Sequence, residues 1–180
     1  MDQCWFMYGD NRTGGILPMT DWSDIKLLKV FPPLPVPSRV EERSIYPEDS
    51  RSAVAGYLGR RWDEIEDEVI NNSEDAFVYF TPEAYCYYLP ALVSYFSKGK
   101  PFAEAIDPVF NCLLRSPDPA MWEDSFMDRW SRFSIEQLEM LGEFLLVLED
   151  GYWGYLLKPR IQQAMSTLET LIILRMYEEE

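Results

Sequence analysis

The residues in this chain best equipped for chemistry are carboxylates and tyrosines, and histidine is missing altogether. Without an imidazole there is no Ser-His or Cys-His nucleophile, no His-ligated metal and no general base of the commonest neutral-pH kind. The Glu-x-x-His pairs of di-iron bundles are excluded for the same reason. Asp and Glu number 31 against 16 Lys and Arg, but an acid/base pair needs one carboxylate held in an apolar cleft, which local spacing does not announce. A calcium loop needs regularly spaced acids, a central Gly and a terminal Glu, and no stretch supplies them. Cys86 and Cys112 lie in apolar, helix-like stretches and read as inert core thiols. The glycines at 9, 14 and 15 lack the Lys and the following helix of a phosphate-cradling loop, so they read as turn residues. What remains is recognition rather than catalysis, with no metal and no cofactor expected.

Charge is unevenly distributed. Residues 41–75 and 116–150 each carry a net charge of −7, whereas 1–40 and 76–115 are balanced. The first segment contains Asp63, Glu64, Asp67 and Glu68, and the second Glu123, Asp124 and Asp128; these seven are the candidate partner-binding residues. On a helix, the like-charged pairs Asp63/Asp67 and Glu64/Glu68 would cost about 0.2–0.5 kcal/mol each, so stability alone does not favour such a run. The expectation is a non-enzymatic acidic binding protein, of the bacterial immunity or inhibitor type, that neutralises a basic protein partner such as a toxin or effector. A nucleic-acid mimic that blocks a DNA- or RNA-binding protein is the alternative, followed by a carboxylate-based enzyme. A net charge of −15 repels phosphate backbones and anionic membranes, so neither direct nucleic-acid binding nor membrane binding is expected.

Three widely spaced cysteines make no disulfide framework, which suits a reducing compartment. The first residues lack the pattern of a signal peptide, and no run of 18 apolar residues occurs, so the expected location is cytoplasmic.

The elements that must position these groups follow from periodicity and capping. The fold class expected is mostly α: a helical domain over 39–180, with a 1–38 extension packed on it that is irregular or a short β-hairpin. Asp21 to Val30 predicts a short helix. Phe31-Pro32-Pro33-Leu34-Pro35-Val36-Pro37 must be extended, and reads as a rigid connector rather than an SH3-type ligand. Arg39 to Ser44 allows a short charged helix. Asp49 or Ser50 offers an N-cap, and Val54, Leu58, Trp62, Ile65 and Val69 then form one apolar stripe, interrupted by Gly56 and Gly59. Thr81-Pro82-Glu83 starts a central helix running to Ser97, with Tyr85, Tyr88, Leu89, Leu92, Val93 and Phe96 on one face and Pro90 kinking or breaking it. Trp62, Thr81, Pro82, Tyr88, Leu89 and Pro90 form the expected structural hub. Asp107-Pro108 reads as a cap and first position, and Ser116 to Arg132 as a long irregular connection anchored by Trp122, Phe126 and Trp130. Ser134 and Gln137 make a capping box for a helix from Ile135 to Asp150 ended by Gly151, and a last helix spans about Pro159 to Tyr177.

The middle of the chain resembles a family of small uncharacterised bacterial proteins. The resemblance rests on Tyr46-Pro47-Glu48-Asp49, Trp62, Phe80-Thr81-Pro82-Glu83-Ala84, Tyr87-Tyr88-Leu89-Pro90-Ala91 and Phe133-Ser134-Ile135-Glu136-Gln137. That family shows, in the same order, a Tyr-Pro turn, a lone Trp, an "LTPEAFRYYLPA"-like helix and an "FTPEQ"-like helix start. The resemblance covers roughly residues 39–150 and implies a fold but no activity. Cys86 stands where a basic residue is usual, and Ser134 where Thr-Pro is expected; neither change alters the capping.

Overall fold

Thr81 sets the frame. In the computed structural model its hydroxyl accepts a hydrogen bond from the Ala84 N–H at 3.2 Å, and Pro82 opens helix α5 (Pro82–Ser97). Glu83 occupies the first turn, where the helix dipole favours a negative charge. The structure describes residues 24–42, 44–73, 75–98, 106–150 and 154–178; the proposed N-terminal hairpin and Gly151 lie outside them. Among the described residues the fold is mostly helical, and the other α-helices are α1 (Asp24–Val30), α2 (Pro47–Val54), α3 (Asp67–Asn72), α4 (Ala76–Tyr79), α6 (Ile106–Leu113), α7 (Asp124–Trp130), α8 (Ile135–Asp150) and α9 (Gly154–Glu178).

The central helix departs from expectation in two ways. It runs unbroken through Pro90, and from Tyr88 to Phe96 every residue is buried, so it is enclosed on all sides rather than along one stripe. A helix that is apolar all round belongs in a core. Solvent reaches its early turns at Glu83 and, in part, at Pro82, Cys86 and Tyr87, and otherwise only its last residue, Ser97. Aromatic rings pack around it edge to face: Tyr57 on Phe80 at 5.0 Å, Phe77 on Tyr85 at 5.6 Å, and Tyr85 on Trp130 at 5.8 Å. This geometry suits the ring quadrupoles. The expected hub residues Trp62, Thr81, Tyr88, Leu89 and Pro90 are all buried, and Pro82 is partly so.

The helices α8 and α9 form a long hairpin, with Leu138, Leu141, Phe144 and Leu145 of one and Ile161, Ala164, Leu168 and Leu171 of the other buried. The capping box of α8 is present: Gln137 N–H donates to Ser134 Oγ at 3.2 Å, and Ser134 N–H to Gln137 Oε1 at 3.0 Å. The last helix starts at Gly154, five residues before the predicted Pro159. Proline near a helix start forgoes a single backbone bond, and the added turn packs Leu157 against the core.

Four local readings are corrected. The described residues from Arg39 to Ser44 are not helical: Glu41 pairs with Phe80 in an isolated antiparallel bridge, in which Thr81 N–H donates to Val40 O at 2.9 Å and Glu42 N–H to Tyr79 O at 2.8 Å. Helix α2 begins at Pro47, with Tyr46 as N-cap, and Ser50 is buried inside it, donating to Glu41. Asp107 lies within the first turn of α6 rather than capping it. Within Ser116 to Arg132 stand a 3-10 turn at Pro119–Met121, capped by Asp118, and helix α7, whose Phe126 and Trp130 are buried. The connection is anchored by its rings as expected, but Phe126 and Trp130 ride on a helix, and Trp122 stands before it.

The proline segment lies against the domain. Trp62 Nε1 donates to Phe31 O at 3.0 Å, and the Tyr87 hydroxyl to Pro33 O at 2.5 Å.

Candidate functional site

The stripe from Val54 to Val69 is where structure and sequence diverge most. Gly59 adopts φ +69°, a left-handed conformation open to glycine, and the chain turns there. Leu58 is consequently 56% exposed, while Tyr57, absent from the predicted stripe, is fully buried. Beyond the turn the chain forms a 3-10 turn at Trp62–Glu64 and then α3. Asp63, Glu64, Asp67 and Glu68 therefore do not share one helix, and the expected i,i+4 repulsion does not arise. Asp63 and Glu64 instead occupy the first turn of the 3-10 element, and Asp67 and Glu68 that of α3, where exposed backbone N–H groups favour negative charge.

Arginines hold some of these acids in place. Arg61 grips Asp63 with both arms, Nε to Oδ1 at 3.0 Å and Nη2 to Oδ2 at 2.6 Å, and lies 3.8 Å from Glu64. In the second segment Glu123 is the N-cap residue of α7, Asp124 opens its first turn, and Asp128 receives Arg132 Nη2 at 2.9 Å. Arg115 approaches Glu123 at 3.5 Å. Glu64, Glu68, Glu123, Asp124 and Asp128 are exposed.

Both acidic segments pack on α5. Asp63 and Glu64 act on Tyr87, whose hydroxyl is pushed up first by burial and further by these two carboxylates. On the neighbouring position Cys86, the thiol is pushed up to about 12, chiefly by burial; Arg132 and Arg129 oppose the shift and Asp128 adds to it. Cys86 Sγ also donates to Arg129 O at 3.2 Å. The narrow strip where α5 meets solvent is thus flanked by carboxylates from both segments. Asp67 and Glu68 lie beyond it on α3.

The core around α5 is filled: the void between Leu89, Leu92, Phe110 and Leu168 measures about 20 Å³. Among the described residues no three His, Cys, Asp or Glu side chains converge as metal ligands would, and no helix is long and apolar enough to cross a membrane. Sequence reasoning missed the grouping of Arg115, Cys112 and Arg129 around an open cleft of about 550 Å³ between α4, α6 and α7. Its walls come from three separate stretches, so no local motif could have revealed it. The chain matches no protein-family model, no curated protein and no solved structure.

Proposed function

We propose that this protein is a non-enzymatic acidic binding protein of the inhibitor or immunity type, and that it receives a basic protein partner across the exposed strip of α5. One observation supports this above the others: the segments at 41–75 and 116–150, each of net charge −7, pack on the same helix and set carboxylates along both sides of its solvent-facing turns. A basic partner competes with Arg132 for Asp128, an exposed ion pair worth only about 0–1 kcal/mol, whereas the two-pronged Arg61–Asp63 pair is held more firmly. Two acidic fields of this size would steer a cationic partner during its approach.

The test is association kinetics. A partner is captured from cells of the source organism, identified by mass spectrometry and purified. Its binding rate is then measured over a salt series against the original chain and against a variant carrying Glu64→Lys, Asp67→Lys and Glu68→Lys. The rate at low salt should fall by about tenfold or more, and its salt dependence should flatten. An unchanged rate would refute the acidic surface as the docking face.

A further inference from the structure

The cleft between α4, α6 and α7 lies apart from the acidic strip and has its own charge pattern. Its volume of about 550 Å³ falls within the range of small-molecule sites. Arg129 lies over the Tyr85 ring, 4.5 Å from its centroid, and its Nη1 reaches Cys112 Sγ at 3.9 Å. Arg115 lies over the Phe126 ring at 4.9 Å. A guanidinium over a ring is held by cation–π attraction, and its remaining N–H groups suit a planar oxyanion. The Nε of Arg129 is buried with no acceptor, a state that folded proteins generally avoid.

The cleft carries two charges of each sign: Asp75 and Asp107, Arg115 and Arg129. Asp107 is answered by Arg160 at 2.9 Å, and Arg115 by Glu123 at 3.5 Å. Among the described residues no ion pair reaches Asp75 or Arg129. An unpaired anion and an unpaired cation thus line the same cleft without meeting each other. A simple anion entering it faces two carboxylates, and a simple cation faces two guanidiniums. Val78, about half exposed, and Pro108 supply an apolar wall beside them.

We infer that this cleft binds a small zwitterion with an apolar body, the chemistry of a free apolar amino acid, its carboxylate on Arg129 and its ammonium on Asp75. The site is independent of the protein-docking strip, and either could fail without the other.

L-leucine is the probe, with leucinamide lacking the carboxylate and N-acetyl-leucine lacking the ammonium. Occupancy is read as protection of Cys112 from iodoacetamide by peptide mass spectrometry, normalised to the same peptide from the urea-unfolded chain, and independently by calorimetry. Leucine should slow Cys112 alkylation saturably, and each analogue should bind about tenfold more weakly or worse, because a site built for a charged group is left unpaired by its absence. Arg129→Gln should erase the preference for leucine over leucinamide, and Asp75→Asn the preference over N-acetyl-leucine. The comparison of the three compounds uses the unaltered chain, so it decides the matter even if a variant fails to fold. No saturable binding of leucine, or equal binding of all three, overturns the proposal. Binding of N-acetyl-leucine as tight as leucine overturns it too, leaving a plain oxyanion site.

Discussion

Two neighbouring tyrosines should respond oppositely to the loss of one oxygen atom. The Tyr88 hydroxyl is buried and lies 2.6 Å from Tyr57 O and 3.0 Å from Arg60 O, tying α5 to the turn that precedes Trp62. Tyr88→Phe removes that donor; Tyr57 O keeps the Arg60 N–H at 3.2 Å, but Arg60 O loses the hydroxyl, at a cost of about 1–3 kcal/mol. The Tyr57 hydroxyl, by contrast, is buried with no partner at all. Tyr57→Phe discards an unmet polar group while keeping the ring contacts to Phe80 at 5.0 Å and Tyr88 at 5.1 Å, so it should be neutral or stabilising by up to about 1 kcal/mol. For a chain of this length 1 kcal/mol corresponds to about 2–4 °C in Tm, so Tyr88→Phe should lower Tm by roughly 2–12 °C and Tyr57→Phe should hold or raise it. Urea unfolding with matched m-values, alongside calorimetry, separates stability from changes in compactness. If Tyr57→Phe costs as much as Tyr88→Phe, the assignment of one satisfied and one orphaned hydroxyl is wrong.

Two further outcomes follow from packing and burial. A Cβ added at Gly56 would come within 2.5 Å of Val69 Cγ1, so Gly56→Ala should cost about 1–3 kcal/mol, and adding Val69→Ala in the same chain should recover part of that loss in a urea double-mutant cycle. The Cys86 thiol is raised from 9.0 to about 12, and the hydroxyls of Tyr57, Tyr85 and Tyr88 are raised as well, all chiefly by burial. The folded state therefore holds these protons more tightly than the unfolded chain does. Their stabilising contribution is complete below about pH 9 and is lost as pH climbs towards 12, so urea midpoints should fall between pH 9 and 11 and fall less steeply in Cys86→Ala. A midpoint that stays level or rises over that window would contradict the burial argument.

The parts of the fold legible in the sequence are those whose signals are short and self-contained. Thr81-Pro82 and the Ser134/Gln137 box each place a hydroxyl or amide within three residues of the N–H it serves, and both helix starts lie where those signals put them. Helix α7 was hidden because Pro117 and Pro119 colour the preceding stretch, and its N-cap, Glu123, makes no side-chain cap bond that would mark the start. The stripe from Val54 to Val69 misled for a different reason. Steps of three and four imply one face only if the backbone stays helical, and the positive φ at Gly59 resets the register, so Tyr57 turns inward and Leu58 outward. The acidic candidates were found by counting, which needs no geometry, but their division between two short elements and α7 depended on that turn. The cleft was out of reach because Asp75, Asn111 and Arg129 meet only through tertiary packing.

Gln137 does more than complete a cap. Its side-chain oxygen accepts from Ser134 N–H, while its Nε2 donates to Val30 O at 3.1 Å, across 107 residues of sequence, at the last residue of α1. One planar amide therefore reports on two distant events at once: its oxygen is satisfied only when α8 has formed its first turn, and its nitrogen only when α1 has docked. Fraying at either place loosens the other, which makes α1 a thermodynamic partner of the α8–α9 hairpin. A chain built this way should lose both ends of that link together in hydrogen exchange, as one cooperative unit rather than as a tail peeling from a finished core.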